Sequence, residues 1–217
     1  GRVIKKNASE TMATAGSETG KTTAKKKEAA KKLTINENET DTSNKDNAEK
    51  QSQEDQAEDR SEFAVQPGRT VGTTEQSDEK VVYLTLDDGP SKNTQAVLDI
   101  LDKYNAKATF FVTGAMPEYK DMIKKAYDKG HTIGMHTYSH DYAKVYASVD
   151  AYFQDLDQIG QLVKEEIGYV PCFIRFPGGS SNTISASYTS GIMTTLTQEV
   201  QARGYQYYDW NGSSGDG

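Results

Sequence analysis

Two adjacent carboxylates stand at the point of this chain where chemistry is most easily imagined. Asp87 and Asp88 follow the apolar run 81–86, and Gly89 and Pro90 come directly after them. Neighbouring side chains on a strand point to opposite faces, so the two carboxylates are expected to have different roles. Gly-Pro favours a bend there. By themselves these four residues are also an ordinary turn sequence.

A pair of histidines changes that interpretation. His136 and His140 lie four residues apart in a polar stretch further along the chain. With one of the two aspartates they make a three-ligand set that leaves positions open for water or substrate, as a catalytic metal requires. The other aspartate would lie beside the metal and act as a general base. Without the aspartates, such a pair is explained equally well by solvation.

Further polar residues could assist these groups. Arg175 is predicted to pair with the base and keep it ionised, and Asp209 to pair with Arg175. The loop 176–182 contains glycines that let a ligand approach backbone N–H groups, although a bare turn explains it as well. Trp210 offers an apolar face for stacking on a sugar, although most such rings belong to a core. The candidate substrate contacts are Pro177, Gly178, Gly179 and Trp210.

The elements that must position these groups alternate between strand and helix. Helices are predicted between the strands from apolar residues at helical spacing. The first is expected to bury Ala96, Val97, Ile100, Leu101 and Tyr104, and the third to begin at Ser148 and end at Gly168. Strands are predicted at 81–86, 108–112, 131–136, 172–176 and 205–210. Strands joined by crossover helices run parallel, so the sequence predicts an α/β domain of barrel or doubly wound type.

Every polar group named above falls just after a predicted strand, or at its end. In parallel α/β folds the carboxyl ends of the strands meet at one edge, where sites are built. The aspartates, the histidine pair, Arg175 and Asp209 are therefore expected to converge. His131, at the start of a strand, is interpreted as a packed histidine. Cys172, the single cysteine, is interpreted as a buried structural thiol.

Composition divides the chain into two parts. Residues 1–79 contain one aromatic, Phe63, and are predicted to be a disordered polar tail or spacer. Residues 80–217 are long enough for one core. The net charge of -7 gives no reason to expect a nucleic acid, and no protein partner is evident. No apolar run reaches the length of a membrane span.

The ordered motifs resemble the NodB-type polysaccharide deacetylases, carbohydrate esterase family 4. The resemblance covers roughly residues 80–217 and rests on the runs 85–90, 136–140, 175–179 and 209–211. It implies a distorted (β/α) barrel that removes acetyl groups from N-acetylated or O-acetylated sugars. It also implies a divalent metal, usually zinc with cobalt or nickel tolerated, held by Asp88, His136 and His140. Asp87 would be the base, Arg175 would orient it, Asp209 would support Arg175, and a backbone N–H near Gly178 would help stabilise the oxyanion.

Two departures from the family pattern stand out. Many members carry an aromatic residue where Gly178 stands, so a more open groove is expected. The last family motif, a Leu-x-His whose histidine protonates the leaving amine, has no counterpart before Gly217. General acid help is worth about two to four orders of magnitude, so slow expulsion of an amine is expected. The barrel is accordingly predicted to be incomplete at the C-terminus and the chain to be truncated there.

Other functions remain open on the sequence alone. A carbohydrate-binding domain would keep the metal and the groove without turnover. A non-haem iron oxygenase also uses two histidines and one carboxylate, although a free base beside the metal argues against it. Peptidoglycan N-acetylglucosamine is the first substrate choice, with chitin and acetylated xylan as alternatives. An extracellular or cell-surface location is expected, with membrane anchoring through a segment absent from this chain.

Overall fold

One mixed sheet carries the fold. The computed structural model describes residues 2–3, 60–69 and 80–215. The six strands follow one another in chain order across the sheet. They are β1 (Arg2–Val3), β2 (Leu84–Asp87), β3 (Ala108–Val112), β4 (Thr132–Met135), β5 (Phe173–Ile174) and β6 (Gln206–Tyr207). Strand β1 pairs antiparallel with β2.

The strands from β2 to β6 are all parallel to their neighbours. The register pairs Asp87 with Phe111 and Val112 with Met135, so the ends of β2, β3 and β4 lie side by side. The predicted α/β fold is thereby confirmed, and the five parallel strands correspond to the five that were predicted. The loops that follow these strands share the carboxyl edge of the sheet.

Helices connect the parallel strands. They are α1 (Thr94–Lys103), α2 (Asp121–Asp128), α3 (Tyr142–Val145), α4 (Val149–Ile167) and α5 (Ile192–Ala202). Helix α4 begins as predicted, because the Ser148 hydroxyl accepts a hydrogen bond from Ala151 N. It ends at Gly168, whose φ of 91° lies in the left-handed region. Its buried stripe contains Tyr152, Phe153, Leu156, Ile159 and Val163, whereas Val149 is partly buried.

The buried face of α1 differs from the prediction. Leu98 and Leu101 are buried, whereas Ile100 and Tyr104 are 57% and 70% exposed. The stripe that faces the sheet runs through Thr94, Leu98 and Leu101, at the i, i+4, i+7 spacing of one helix face. Apolar residues occur on both sides of this short helix. Periodicity therefore predicted the burial of Leu101 correctly but that of Ile100 and Tyr104 wrongly.

The predicted boundary at residue 80 is wrong for one segment of the tail. Residues 60–69 pack against the domain, and the rest of the predicted tail lies outside the described residues apart from Arg2 and Val3. Val65 N donates to Val170 O, and Cys172 N donates to Phe63 O. We call residues 60–69 the strap. The polar composition of the strap did not indicate that it packs, because a few main-chain hydrogen bonds and one aromatic ring are enough to hold it against the domain.

Two minor predictions agree with the structure. His131 is fully buried, and its Nδ1 accepts a hydrogen bond from Ala108 N at 3.3 Å. Cys172 is buried, and burial raises the pKa of its thiol to about 11. No described helix combines the length and hydropathy that crossing a bilayer requires.

Candidate metal and catalytic site

The two adjacent aspartates face different surroundings. The Asp87 side chain is only 7% exposed, whereas that of Asp88 is 67% exposed. Asp88 adopts a φ of 67°, so the backbone reverses there and separates the two carboxylates. The bend predicted from Gly89 and Pro90 therefore lies at the end of β2, and it gives each carboxylate its own neighbours.

Asp88, His136 and His140 come together as the sequence predicted. Asp88 Oδ1 lies 3.5 Å from His136 Nε2 and 3.3 Å from His140 Nε2. One ligand atom from each residue lies within 4.8 Å of the others. A tetrahedral zinc ion with bonds of about 2.0–2.1 Å holds its ligand atoms about 3.3–3.4 Å apart. The spacing of this trio therefore fits a small divalent cation.

The orientation of His136 also suits a cation. Its Nδ1 lies 2.7 Å from the carbonyl oxygen of Arg175. A carbonyl only accepts hydrogen bonds, so Nδ1 carries the proton and Nε2 presents its lone pair toward Asp88. Burial lowers the pKa of His136 below its ordinary value, which keeps the ring neutral. A neutral imidazole facing a carboxylate has no proton to share, and a cation between them resolves that mismatch.

Asp87 is held by Arg175. Arg175 Nη1 donates to Asp87 Oδ1 over 2.6 Å and to the Thr85 hydroxyl over 3.1 Å. Thr85 is two residues before Asp87 on β2, and side chains at that spacing share a face of the strand. A fixed guanidinium attracts this carboxylate and holds its orientation. The pairing predicted for the base and Arg175 is therefore present.

Arg175 itself is fully enclosed. Its side chain has no exposed surface, and its Nε donates to Tyr208 O at 3.0 Å. The guanidinium carbon lies 4.4 Å from the centre of the Phe111 ring and 5.5 Å from that of Trp210. Rings on these sides attract the cation and exclude water from it. Arg175 is thus a rigid support for Asp87.

Asp209 supports Arg175 differently from the prediction. Its main-chain oxygen accepts from Arg175 Nη2 at 3.3 Å. Its carboxylate accepts from the backbone N–H of Ser180 at 2.8 Å and also from the Ser180 hydroxyl. The expected ion pair is therefore replaced by a main-chain contact. The Asp209 carboxylate instead ties the glycine loop to the end of the sheet.

The predicted substrate contacts are not equally accessible. Gly178 is exposed and Trp210 is half-buried, whereas Pro177 and Gly179 are buried. The Pro177 carbonyl accepts from the Tyr146 hydroxyl at 2.7 Å, so Pro177 shapes the loop. The prediction that Pro177 and Gly179 contact substrate is wrong, because both residues are buried. They position the loop instead. Gly178 and Trp210 remain candidates for contact with a ligand.

A tyrosine takes part of the space beside Gly178. The Tyr142 hydroxyl lies 2.9 Å from where a Cβ at position 178 would be, and Gly178 has a φ of 76°. The Tyr142 ring also lies edge-on to His140, with the ring centres 5.8 Å apart. The groove expected to be open at Gly178 is therefore bordered by an aromatic ring from α3.

Several residues at this edge were not identified from the sequence. Tyr146 and Ser180 hold the glycine loop, and Asp155 contacts the loop that carries His140. A possible signal existed only for Thr85, which shares a strand face with Asp87. The others contact main-chain atoms far away in sequence, which no residue pattern predicts.

A cleft opens directly beside the two aspartates. Its volume is about 600 Å³. Ser91 and Lys92, which come just before α1, line one part of it, and Met116 and Glu118 line another. A cleft of this size beside a cation site can admit a small polar group attached to a larger molecule.

Comparisons with known proteins identify relatives of this chain. The peptidoglycan-N-acetylglucosamine deacetylase of Bacillus cereus is 36% identical over 132 residues, which are 60% of this chain and 45% of that protein. The chitin deacetylase of Arthroderma benhamiae is 33% identical over 133 residues, which are 58% of this chain and 35% of that protein. The chain thus spans less than half the length of these two relatives.

A solved structure is similar as well. It is the catalytic domain of peptidoglycan N-acetylglucosamine deacetylase from Eubacterium rectale, with 54% sequence identity and a TM-score of 0.61. The match covers 62% of this chain and 61% of that chain. The family model described as polysaccharide deacetylase matches residues 74–197, which are more than half of the 217 residues. The chain therefore belongs to the polysaccharide deacetylase family.

Proposed function

We propose that this chain forms the catalytic region of a metal-dependent hydrolase that removes N-acetyl groups from a polysaccharide. The observation that carries the proposal is the division of labour between two neighbouring carboxylates. Asp88 faces two imidazoles, whereas Asp87 faces a buried guanidinium. Family membership supports the reaction class, and the site supplies the groups that hydrolysis of an amide needs.

Asp88, His136 and His140 would hold the divalent cation, with zinc as the first choice and cobalt or nickel as alternatives. When bound, the cation would polarise the acetyl carbonyl and make an attacking water more acidic. Asp87 would accept a proton from that water as it adds to the carbonyl carbon. Arg175 would hold Asp87 in place for this proton transfer.

Hydrolysis then requires the bond between the acetyl carbon and the sugar nitrogen to break. Water supplies the oxygen of acetate, and a proton must reach the nitrogen so that a free amine leaves. The exposed Gly178 would offer its backbone N–H to the developing oxyanion. Trp210 and Tyr142 border the edge and offer ring faces to a pyranose.

Peptidoglycan N-acetylglucosamine is the substrate we favour. Two of the similar proteins carry that substrate in their names, and the Eubacterium rectale structure is the more identical of them. A relative named chitin deacetylase keeps chitin as an alternative, and acetylated xylan is the third. With peptidoglycan as substrate, the protein would act outside the cell or at its surface.

Acetate release tests the proposal. Peptidoglycan fragments, chitooligosaccharide and acetylated xylan would be incubated with the protein, with and without a chelator. We expect release only with metal, and most from peptidoglycan. Asp87→Asn should lower the rate by about 10²- to 10⁴-fold, because amide oxygen is a poor base, while metal binding persists.

The matched control is Asp157→Asn on the exposed side of α4, which should release acetate at the rate of the unchanged chain. Equal release from Asp87→Asn and the control would contradict the assignment of the base. Iron in place of zinc in the purified protein would instead favour the oxygenase alternative.

A second candidate function is binding of an acetylated sugar with little turnover. The chain has three histidines. Two belong to the trio described above, and His131 is fully buried at the opposite end of β4. None of the three is placed to protonate a leaving amine. Substrate binding measured by calorimetry without acetate release would favour this candidate over the hydrolase.

A further inference from the structure

The structure assigns Asp155 as a positioning residue that holds the metal-binding loop from behind. This inference rests on the proposed metal site, to which it adds a residue that lies on α4 and contacts no ligand atom directly. The residues 137–140, which we call the histidine loop, connect the end of β4 to His140. Asp155 is the buried carboxylate against which this loop is folded.

The histidine loop adopts an unfavourable backbone conformation. Thr137 has a φ of 67° and His140 a φ of 49°. Positive φ is strained for residues other than glycine, and most of all for a β-branched residue such as threonine. The Thr137 hydroxyl is also buried without a hydrogen-bond partner among the described residues. A loop with these unfavourable features persists only where its surroundings fix it.

Asp155 provides charged hydrogen-bond acceptors that hold this loop. Its Oδ1 accepts hydrogen bonds from the backbone N–H groups of Tyr138 and Ser139, the latter at 3.1 Å. Its Oδ2 lies 3.3 Å from the same Ser139 nitrogen. Hydrogen bonds from N–H to a carboxylate are stronger than those between neutral groups. Both bonds act on the residues between the two histidine ligands.

The loop is held from the other side as well. Tyr138 O accepts from Gly114 N at 2.9 Å. A Cβ at position 114 would lie 2.3 Å from the Tyr138 ring, so this ring lies directly on the glycine. Tyr138 is therefore clamped between the loop after β3 and the carboxylate on α4. With both contacts made, the direction in which the chain continues to His140 is fixed.

Among the described residues, the hydrogen bonds that Asp155 accepts all come from the histidine loop. Asp155 is 8% exposed and belongs to the buried side of α4, together with Phe153 and Leu156. Burying a carboxylate is unfavourable unless hydrogen bonds compensate. Here the compensation comes from the histidine loop, so the burial of Asp155 and the conformation of the loop depend on each other. Loss of Asp155 should therefore release His140 from its ligating position.

Cobalt binding by the full chain tests this inference. Co²⁺ would be titrated alone, and its visible absorption would report ligand geometry as well as affinity. Asp155→Leu keeps the size of the side chain and removes both acceptors, so the Kd should rise by about 10- to 100-fold. Asp155→Asn retains an oxygen that can accept both N–H groups and should recover most of the affinity. Asp157→Leu, two residues away on the exposed side of α4, should bind as the unchanged chain does.

Amide hydrogen exchange gives a second readout that needs no metal. The N–H groups of Tyr138 and Ser139 should exchange slowly in the unchanged chain and moderately faster in Asp155→Asn, because a neutral amide oxygen accepts them more weakly than a carboxylate does. This measurement decides the matter if Asp155→Leu fails to fold. A folded Asp155→Leu with the cobalt affinity and spectrum of the unchanged chain would overturn the inference, as would rapid exchange at both amides. If the unchanged chain binds no cobalt, the metal site itself fails, and slow exchange at both amides would still support the loop contact.

Discussion

Asp87 and Asp88 owe their different properties to a single backbone reversal. Positive φ at Asp88 aims one carboxylate at two imidazoles and leaves the other against Arg175. Their side-chain exposures of 7% and 67% follow from that reversal. A buried carboxylate depends on its partner much more than an exposed one does. The residue whose loss should harm stability most is therefore the partner, Arg175.

We expect Arg175→Met to destabilise the fold by about 3–5 kcal/mol, because it leaves Asp87 nearly buried without its guanidinium. Urea denaturation followed by circular dichroism would measure this. Arg203→Met is the control, since Arg203 also covers a ring, that of Phe153, but its side chain is 47% exposed. About 1 kcal/mol or less is expected there. Equal losses would mean that the Arg175 pair contributes no special stability.

Site residues were predictable to the extent that motifs carry them. Asp87 ends β2, and the loops after β2, β4 and β5 carry Asp88, His136, His140 and Arg175. Parallel strands bring such residues to one edge. Asp155 was not predictable, because a carboxylate on the buried stripe of a helix contradicts the pattern that identifies the helix. Its hydrogen-bond donors are main-chain groups 16 and 17 residues away, which carry no sequence signal.

At the scale of elements, long periodic segments were predicted well and short ones were not. Helix α4 has 19 residues, enough for its stripe to be unambiguous. Helix α3 has four, and the turn Ile184–Ser187 is a 3-10 helix of four, too few to display a period. The parallel strands are also shorter than predicted at β5 and β6, because only two residues in each make ladder pairs.

The strap yields a prediction at this scale. The Phe63 ring lies 5.1 Å from the Phe173 ring, and the Phe63 carbonyl accepts from Cys172 N. Phe63→Ala should lower the free energy of unfolding by about 2 kcal/mol, since a partly buried ring is lost. It should also speed the reaction of the Cys172 thiol with a thiol reagent, which burial otherwise prevents.

Tyr104→Ala provides the comparison, because Tyr104 is 70% exposed on α1. Its effect on stability should stay within about 0.5 kcal/mol, with no change in thiol labelling. If the labelling rate of Phe63→Ala matched that of Tyr104→Ala, the strap would not be protecting the start of β5.

At the scale of the whole molecule, the candidate site lies at the carboxyl end of the parallel strands, and the buried His131 lies at their amino end. Burial lowers the pKa of His131 from 6.5 to about 4. Between those values the unfolded chain binds a proton at this residue and the folded chain does not. The free energy of unfolding should therefore fall as the pH falls from about 6.5 toward about 4.

His131→Asn separates this effect from the titration of carboxylates. Asparagine keeps an acceptor for Ala108 N but has no group that titrates in this range. Urea denaturation of both chains across the pH range would give two curves, and that of His131→Asn should fall less steeply below pH 6.5. Parallel curves would show that His131 is protonated equally in both states.

The position of the strap determines how the molecule meets a long polymer. Arg60 donates to the carbonyls of Tyr127 and His131, which places the first strap residue beside the amino end of β4. The cleft beside the aspartates lies at the opposite end of the sheet, where the parallel strands end. The strap therefore leaves the cleft uncovered, and the polysaccharide of the proposed function would reach the aspartates without meeting residues 60–69.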